Sequence, residues 1–198
     1  MGNQLIGSPP TNMQPMSGTR TWNFTRFIVD KEILQSILTK LGKQLPAGSR
    51  LFLLGGSALT LLGSPRHSQD LDFVGDDVNP SELHRAIVKR AEEVKVQVDI
   101  VPIGGFIPLP EGHEVRNIYI GQFGNLEIHV FDPYSIALSK IDRGSFTDFE
   151  DIIFLIDKGF IEFNELERIV LKSKSEAGKF DLHPDILDHL QELKSRIK

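Results

Sequence analysis

Apolar residues change their spacing several times along the chain, and each change marks an element. Ile33, Leu34, Ile37, Leu38 and Leu41 recur at three- and four-residue steps and predict a first amphipathic helix. Leu51 to Leu54 is a short apolar run that predicts a buried strand. Gly55 and Gly56 then permit a tight turn, and Ser57 stands where it can cap a helix carrying Ala58, Leu59, Leu61 and Leu62. Asp70, Leu71, Asp72 and Phe73 alternate polar and apolar, so a strand here turns the two acids to one face and Leu71 and Phe73 to the other. A further helix is signalled by Asn79 as cap, Pro80 at its first position, Glu82 completing a capping box, and a face traced by Leu83, Ala86, Ile87, Arg90, Ala91 and Val94. Val96 to Val101 alternates as a strand that carries Asp99. Gly104 to Gly112, with Pro108 and Pro110, reads as a loop bordering a cleft, and Ile118 to Ile120 and Leu126 to Val130 read as two hairpin-like strands.

Helices are expected in the remainder. Asp132 can cap one with Pro133 at its first position, after which Ile136, Ala137 and Ile141 make an apolar stripe with Lys140 beside it. Thr147 and Glu150 make a capping box that puts Asp148 at a first helical position. At the other end, residues 1 to 20 contain Ser8-Pro9-Pro10 and Pro15 and read as a flexible arm, the folded part starting near Phe27. The expected fold is α/β, a mixed sheet flanked by helices with a helical C-terminal part. Its divisions are an arm at 1–20, an α/β core at 21–131 and a helical part at 132–198 packed on that core.

Composition narrows the class. The 198 residues, 40% hydrophobic and 25% charged, suit one globular unit with a sizeable core. The chain has no cysteine, which excludes disulfides and thiolate zinc sites, and its six histidines form no pair at metal-ligand spacing. No signal peptide and no run of about 18 apolar residues is visible, so the expectation is a cytoplasmic protein with no membrane partner. A formal net charge of −5 argues against a broad surface for gripping nucleic-acid phosphates. The lysines at 172, 174 and 194 to 198 read as a solvated helix face.

Against that background the acids stand out. Two carboxylates on one strand face, about 6.5 Å apart, repel by roughly 2 to 3 kcal/mol at an effective dielectric of about 20. A divalent cation removes the repulsion. Magnesium, with manganese as its substitute, prefers such oxygen donors and completes its shell with water and substrate phosphate. The glycine corner complements the acids, because the amides of a helix start attract an anion and glycines admit one closely. The ordinary alternatives are a plain strand-to-helix turn and two solvated acids.

Together, Gly55-Gly56-Ser57 and Asp70-Leu71-Asp72 resemble the signature of the nucleotidyltransferase superfamily. The segment Arg66-His67-Ser68-Gln69-Asp70-Leu71-Asp72-Phe73 is similar to the Arg-x-Ser/Thr-x-Asp-hydrophobic-Asp segment of the AbiEii abortive-infection toxin branch and its uncharacterised relatives. The resemblance implies metal ligands at Asp70 and Asp72 and a third carboxylate on a neighbouring strand, Asp99, with Glu127 in reserve. It implies nucleotide contacts at Gly55, Gly56, Ser57, Arg66 and Lys140. In Asp132 to Leu155 the positions Lys140, Arg143, Asp148 and Asp151 match a later toxin motif, which makes Lys140 catalytic and Asp148 and Asp151 secondary candidates. Each has a plainer reading: Lys140 as a lysine snorkelling to water, Arg66 as a surface ion pair, Asp148 as a helix-start acid. The activity implied is magnesium-dependent transfer of a nucleoside monophosphate from an NTP to an acceptor hydroxyl or phosphate, by a toxin acting on tRNA and paired with a cognate antitoxin. Alternatives are transfer to a protein or small molecule, and a catalytically silent nucleotide-binding protein of the same fold.

Overall fold

The computed structural model describes residues 30–68, 70–93 and 95–197. The expected arm, Trp22 and the start of the fold near Phe27 lie outside the described residues, as does Val94. In chain order the elements are α1 (Lys31–Gly42), β1 (Ser49–Leu53), α2 (Gly55–Leu61), β2 (Leu71–Val74), α3 (Glu82–Glu93), β3 (Val98–Val101), the single turn α4 (Ile103–Phe106), β4 (Ile118–Phe123), β5 (Leu126–Val130), α5 (Pro133–Arg143), α6 (Phe146–Asp157), α7 (Phe163–Ser175) and α8 (Ile186–Arg196). Among the described residues no helix is long and apolar enough to cross a membrane.

The strands form one five-stranded mixed sheet in the order β3-β2-β1-β5-β4, so the expected α/β sheet flanked by helices is the observed one. β1 runs antiparallel to β2 and parallel to β5, β2 is parallel to β3, and β4 closes the antiparallel hairpin with β5. Register follows from the apolar alternation, since a slip by one residue would turn every buried side chain to the other face. Leu53 stands opposite both Phe73 and Val130, and Leu51 opposite Ile128, all fully or almost fully buried. Phe73 meets the His84 ring of α3 edge-on at 4.9 Å, which places the helices α1 to α3 on this core face. Burial pushes the His84 imidazole pKa down, the behaviour of a packing histidine. The opposite face carries Phe52 and His129 as register partners, and Asp72 opposite Asp99.

Helix starts depart from the sequence expectation in three places. Ser81, not Asn79, caps α3, its Oγ accepting from the His84 N–H at 3.1 Å. Ser145, not Thr147, caps α6: its Oγ accepts from the Asp148 N–H at 3.2 Å, which puts Asp148 in the third helical position. Leu54, without a side-chain cap, precedes α2, so Gly55 and Gly56 are helical and Ser57 caps nothing. The starts of α3 and α6 each hold several Ser, Thr, Asn or Asp within a few residues, and tertiary packing chooses among them. The expected stripe on α1 is buried except for Ile33, which is 40% exposed. The 104–112 segment is not all loop, since α4 occupies part of it.

The α5 start behaves as expected and also joins the helical part to the sheet. Asp132 follows β5, accepts from the Tyr134 and Ser135 N–H groups, and receives the Arg116 guanidinium at 2.6 and 2.9 Å. From there α5 contacts α6, α7 and α8. Since Asp132 is fully buried, Asp132→Ala removes a cap and leaves Arg116 short of its partner, a loss of about 3 kcal/mol. Asp132→Asn, which keeps the cap, is expected to lose less, and urea unfolding of both variants checks the order.

Candidate active site

The three acids expected to converge do so. Asp72 lies within β2, Asp99 is its register partner on β3, and Asp70 sits in the bend just before β2 rather than inside the strand. Ser68, itself buried, donates its hydroxyl to the Asp70 carbonyl at 2.8 Å, with the Asp70 carboxylate at 3.3 Å. One carboxylate oxygen from each of Asp70, Asp72 and Asp99 lies within 4.8 Å of the others. Like charges facing one another across a parallel pair destabilise a sheet. The strain is visible at Asp72, whose pKa is pushed up to about 6 by burial first and by Asp70 and Asp99 next, against a smaller pull from Arg143 and Lys140. An all-oxygen, all-anionic donor set of this spacing fits a hard divalent cation such as magnesium.

The glycine corner is built onto these acids. Leu54 N–H donates to the Asp72 carbonyl at 2.9 Å, drawing the end of β1 against β2. Gly55 has φ +58, and a Cβ there would lie 1.9 Å from Asp72 Oδ2, so only glycine lets the helix start rest on the carboxylate. A Cβ at Gly56 would lie 2.9 Å from the Ser68 hydroxyl. Ser57 is fully buried and its Oγ donates to the Leu54 carbonyl at 3.1 Å. Its hydroxyl is therefore turned inward, and what the corner presents is backbone: the first amides of a helix have no acceptor in their own helix.

Lys140 neither snorkels nor stands free. Almost fully buried, its Nζ lies 2.7 Å from Asp151 Oδ2 and 3.2 Å from Asp148 Oδ1. Arg66 also pairs with Asp151, a buried acid from a distant segment rather than a surface neighbour. Arg143 grips Asp148 with Nη2 to Oδ1 at 2.6 Å and Nε to Oδ2 at 3.2 Å. Burial pushes the Asp148 carboxyl up, but hydrogen bonds from Arg143 and Ser145 and the Lys140 charge outweigh it and hold it at about 2. Two acids thus bind three cations, and two of these, Lys140 and Arg143, line the same cavity as Asp72. Glu127, the reserve acid, pairs with Arg50 and His129 and takes no part.

A cavity of about 510 Å³ lies where these groups meet, with Gly55, Asp72, Val101, Phe106, Lys140 and Arg143 among its walls. The 104–112 segment expected to border a cleft contributes Gly105, Phe106 and Ile107 to this cavity, whereas the reach of Arg143 into it was not anticipated. Arg143 follows Lys140 by three residues and so shares its helix face, which is the signal that marks it. No histidine among the described residues joins the acid cluster.

A family model described as nucleotidyltransferase of unknown function (DUF6036) matches residues 27–182. A crystal structure described as an antigenic nucleotidyltransferase-like protein from Paracoccidioides brasiliensis is similar to the chain at 17% identity with a TM-score of 0.44, covering 83% of this chain and 94% of that one. No curated protein matches the chain.

Two stability predictions follow from the charges. Because the Asp72 carboxyl is raised from its usual 3.8 to about 6, its ionisation weakens the fold as pH rises through that interval, by on the order of 3 kcal/mol. In chelator, Asp72→Asn is expected to raise Tm near pH 8 and to leave it unchanged near pH 3.5; equal shifts at both pH values count against the assignment. Lys140→Met should destabilise by roughly 3 kcal/mol, since it strips a buried cation from two buried acids, and chemical denaturation measures it.

Proposed function

The chain belongs to the DUF6036 family of nucleotidyltransferases of unknown function, and from that premise we propose that it transfers a nucleoside monophosphate from an NTP to an acceptor hydroxyl or phosphate with magnesium bound at Asp70, Asp72 and Asp99. The observation that carries the reading is the contact between two halves: the carboxylate cluster and the glycine corner meet at Gly55, where no side chain fits beside Asp72. A bound divalent ion supplies positive charge to the phosphoryl oxygens and acidity to the acceptor.

The chain's own residues do the rest. Backbone amides of Gly55, Gly56 and Ser57 bind the triphosphate, and the surplus charge of Lys140, Arg66 and Arg143 stabilises what develops as the group is transferred. Asp99, the most exposed of the three acids, takes the acceptor proton. The acceptor oxygen then bonds to the α-phosphorus, the α–β bridging bond breaks, and pyrophosphate leaves with the bonding electrons. The helical part from residue 132 onward closes the cleft on the α/β core, and Asp148 and Asp151 act as positioning residues that hold the cations. The resemblance to the AbiEii branch adds a finer reading: a toxin acting on a cellular acceptor such as tRNA and silenced by a cognate antitoxin.

Cell extract incubated with the protein, magnesium and labelled NTPs, followed by mass spectrometry, identifies both the added group and its carrier. Asp70→Asn and Asp72→Asn are expected to abolish incorporation with an unchanged circular dichroism spectrum, and full activity in either overturns the mechanism. Growth arrest on expression supports the toxin, transfer to a metabolite without arrest supports a small-molecule enzyme, and calorimetric NTP binding without pyrophosphate release supports a silent binding protein.

A further inference from the structure

The most exposed acid of the cluster, Asp99, stands on an edge of the sheet. β3 is the outermost strand on its side, and among the described residues no strand covers it. Its parallel pairing with β2 runs unbroken from Leu71↔Val98 to Val74↔Val101, with the Leu71 N–H donating to the Gln97 carbonyl and the Gly75 N–H to the Val101 carbonyl. In such a ladder alternate residues turn their polar backbone groups to the partner strand. Gln97, Asp99 and Val101 therefore face β2, while the N–H and C=O groups of Val98 and Ile100 point outward. A regular edge of this kind is a template for one more strand, and proteins commonly blunt it. The opposite edge is blunted, since β4 shifts register between Tyr119 and Gly121. β3 carries neither a bulge nor a proline.

What lies beside that edge suits a peptide. Ile100 is the register partner of Phe73 and so turns to the α3 side of the sheet, opposite to Asp99. There a groove of about 260 Å³ lies between α3 and β3, with Ile100, Val88 and Pro80 as its apolar surface and Arg85, Lys89 and Glu92 as its charged residues. Among the described residues none of these three takes part in a salt bridge, whereas Arg90 and Glu93 of the same helix pair with each other. The Arg85 guanidinium donates to the Pro80 carbonyl, which leaves its charge unanswered. Two cations against one acid make the rim net positive. An extended chain laid along β3 meets both surfaces, because its side chains alternate between them. The residue opposite Asp99 points to the acid face, with its Cβ about 5 Å from that of Asp99, and its two neighbours point into the groove. Val101, at the end of the same strand, lines the cavity shared by Asp72 and Arg143, so the edge leads to the site of transfer. Nucleic acid fits this edge poorly, since it has no peptide groups to pair with Val98 and Ile100 and the chain's formal net charge is −5.

We propose that the acceptor is a protein, an extended segment of which adds to β3 as one more strand and brings a serine, threonine or tyrosine hydroxyl to Asp99, with apolar neighbours in the α3 groove and an acidic residue at Arg85 and Lys89. The inference rests on the nucleotidyltransferase reading and takes a protein, rather than tRNA, as the acceptor. The hydroxyl oxygen bonds to the α-phosphorus of the NTP, the α–β bridging bond breaks, pyrophosphate leaves with the bonding electrons, and the hydroxyl proton passes to Asp99. The probe is the end-capped peptide Thr-Glu-Thr-Val-Ser-Val-Thr-Glu-Thr, which as a strand puts hydroxyls on one face and valine and glutamate on the other. At millimolar concentration with the full chain and magnesium, it is expected to slow exchange of the Val98 and Ile100 amide hydrogens at least about tenfold, and to leave that of Asp99, already in the ladder, unchanged. Val98→Pro removes an outward N–H at the first residue of an edge strand, and is expected to weaken peptide binding at least about fivefold with circular dichroism and calorimetric NTP binding unchanged. Lys89→Glu, on the exposed side of α3, is expected to weaken it about as much and to be rescued by a peptide carrying lysine in place of glutamate. Absence of amide protection, or an affinity that neither variant moves, overturns the proposal. So does a dimer joined through β3 that light scattering detects and Val98→Pro dissolves. Label transferred from NTP to RNA or a metabolite leaves the enzyme reading standing and sinks this one, whereas no transfer to any acceptor in cell extract sinks both.

Discussion

Crowding of negative charge on one sheet face is the constraint to which the rest of the structure answers. Asp72 and Asp99 are register partners on adjacent parallel strands, and Asp70 is swung in beside them by the Ser68 hydroxyl. Nothing in the core requires this arrangement. Leu71 and Phe73, which alternate with the acids, would bury equally well if polar uncharged residues took the acids' places. The protein therefore carries a local penalty: burial first, and Asp70 and Asp99 next, raise the Asp72 pKa, and a bound cation would offset both.

The neighbouring elements are arranged around that charge. Gly55 adopts a left-handed backbone conformation against Asp72 and Gly56 approaches Ser68, so the helix that follows begins directly above the carboxylates. From the other side α5 and α6 bring Lys140, Arg143, Asp148 and Asp151. A lone buried lysine is costly, and Lys140 is met in the interior by two carboxylate partners, themselves shared with Arg66 and Arg143. Asp132 anchors the whole assembly by capping α5 and pairing with Arg116, so the angle at which α5 leaves the sheet sets how far its cations stand from the acids.

A site built this way separates holding charge from spending it. Lys140 is occupied by its partners, while Arg143, paired through Asp148, keeps most of its side chain exposed and faces the cavity. The cavity wall combines these cations with Asp72, Asp142, Asp181 and apolar residues such as Val101 and Ile136.

Alternation and helical periodicity in the chain were enough to determine the strands, most helices, the pairing of acids on one face and the glycine corner, because side-chain direction within an element depends only on local geometry. Asp72 was legible for that reason, Asp70 stands in the bend just before the strand rather than in it, and the motif resemblance singled out Asp99, Lys140 and its companions. Helix starts were less legible, as Ser81 and Ser145 show: neighbouring capping residues are nearly equal in local energy, and contacts from elsewhere decide. What tertiary structure alone decided was the partner of each charge. Lys140 meets Asp148 and Asp151, Arg66 crosses to Asp151 from a distant segment, the Ser57 hydroxyl turns inward, and Asp142 and Asp181 come to one cavity. A charge's surroundings are set by elements far apart in the chain, and the pattern of any single element carries no record of what packs against it.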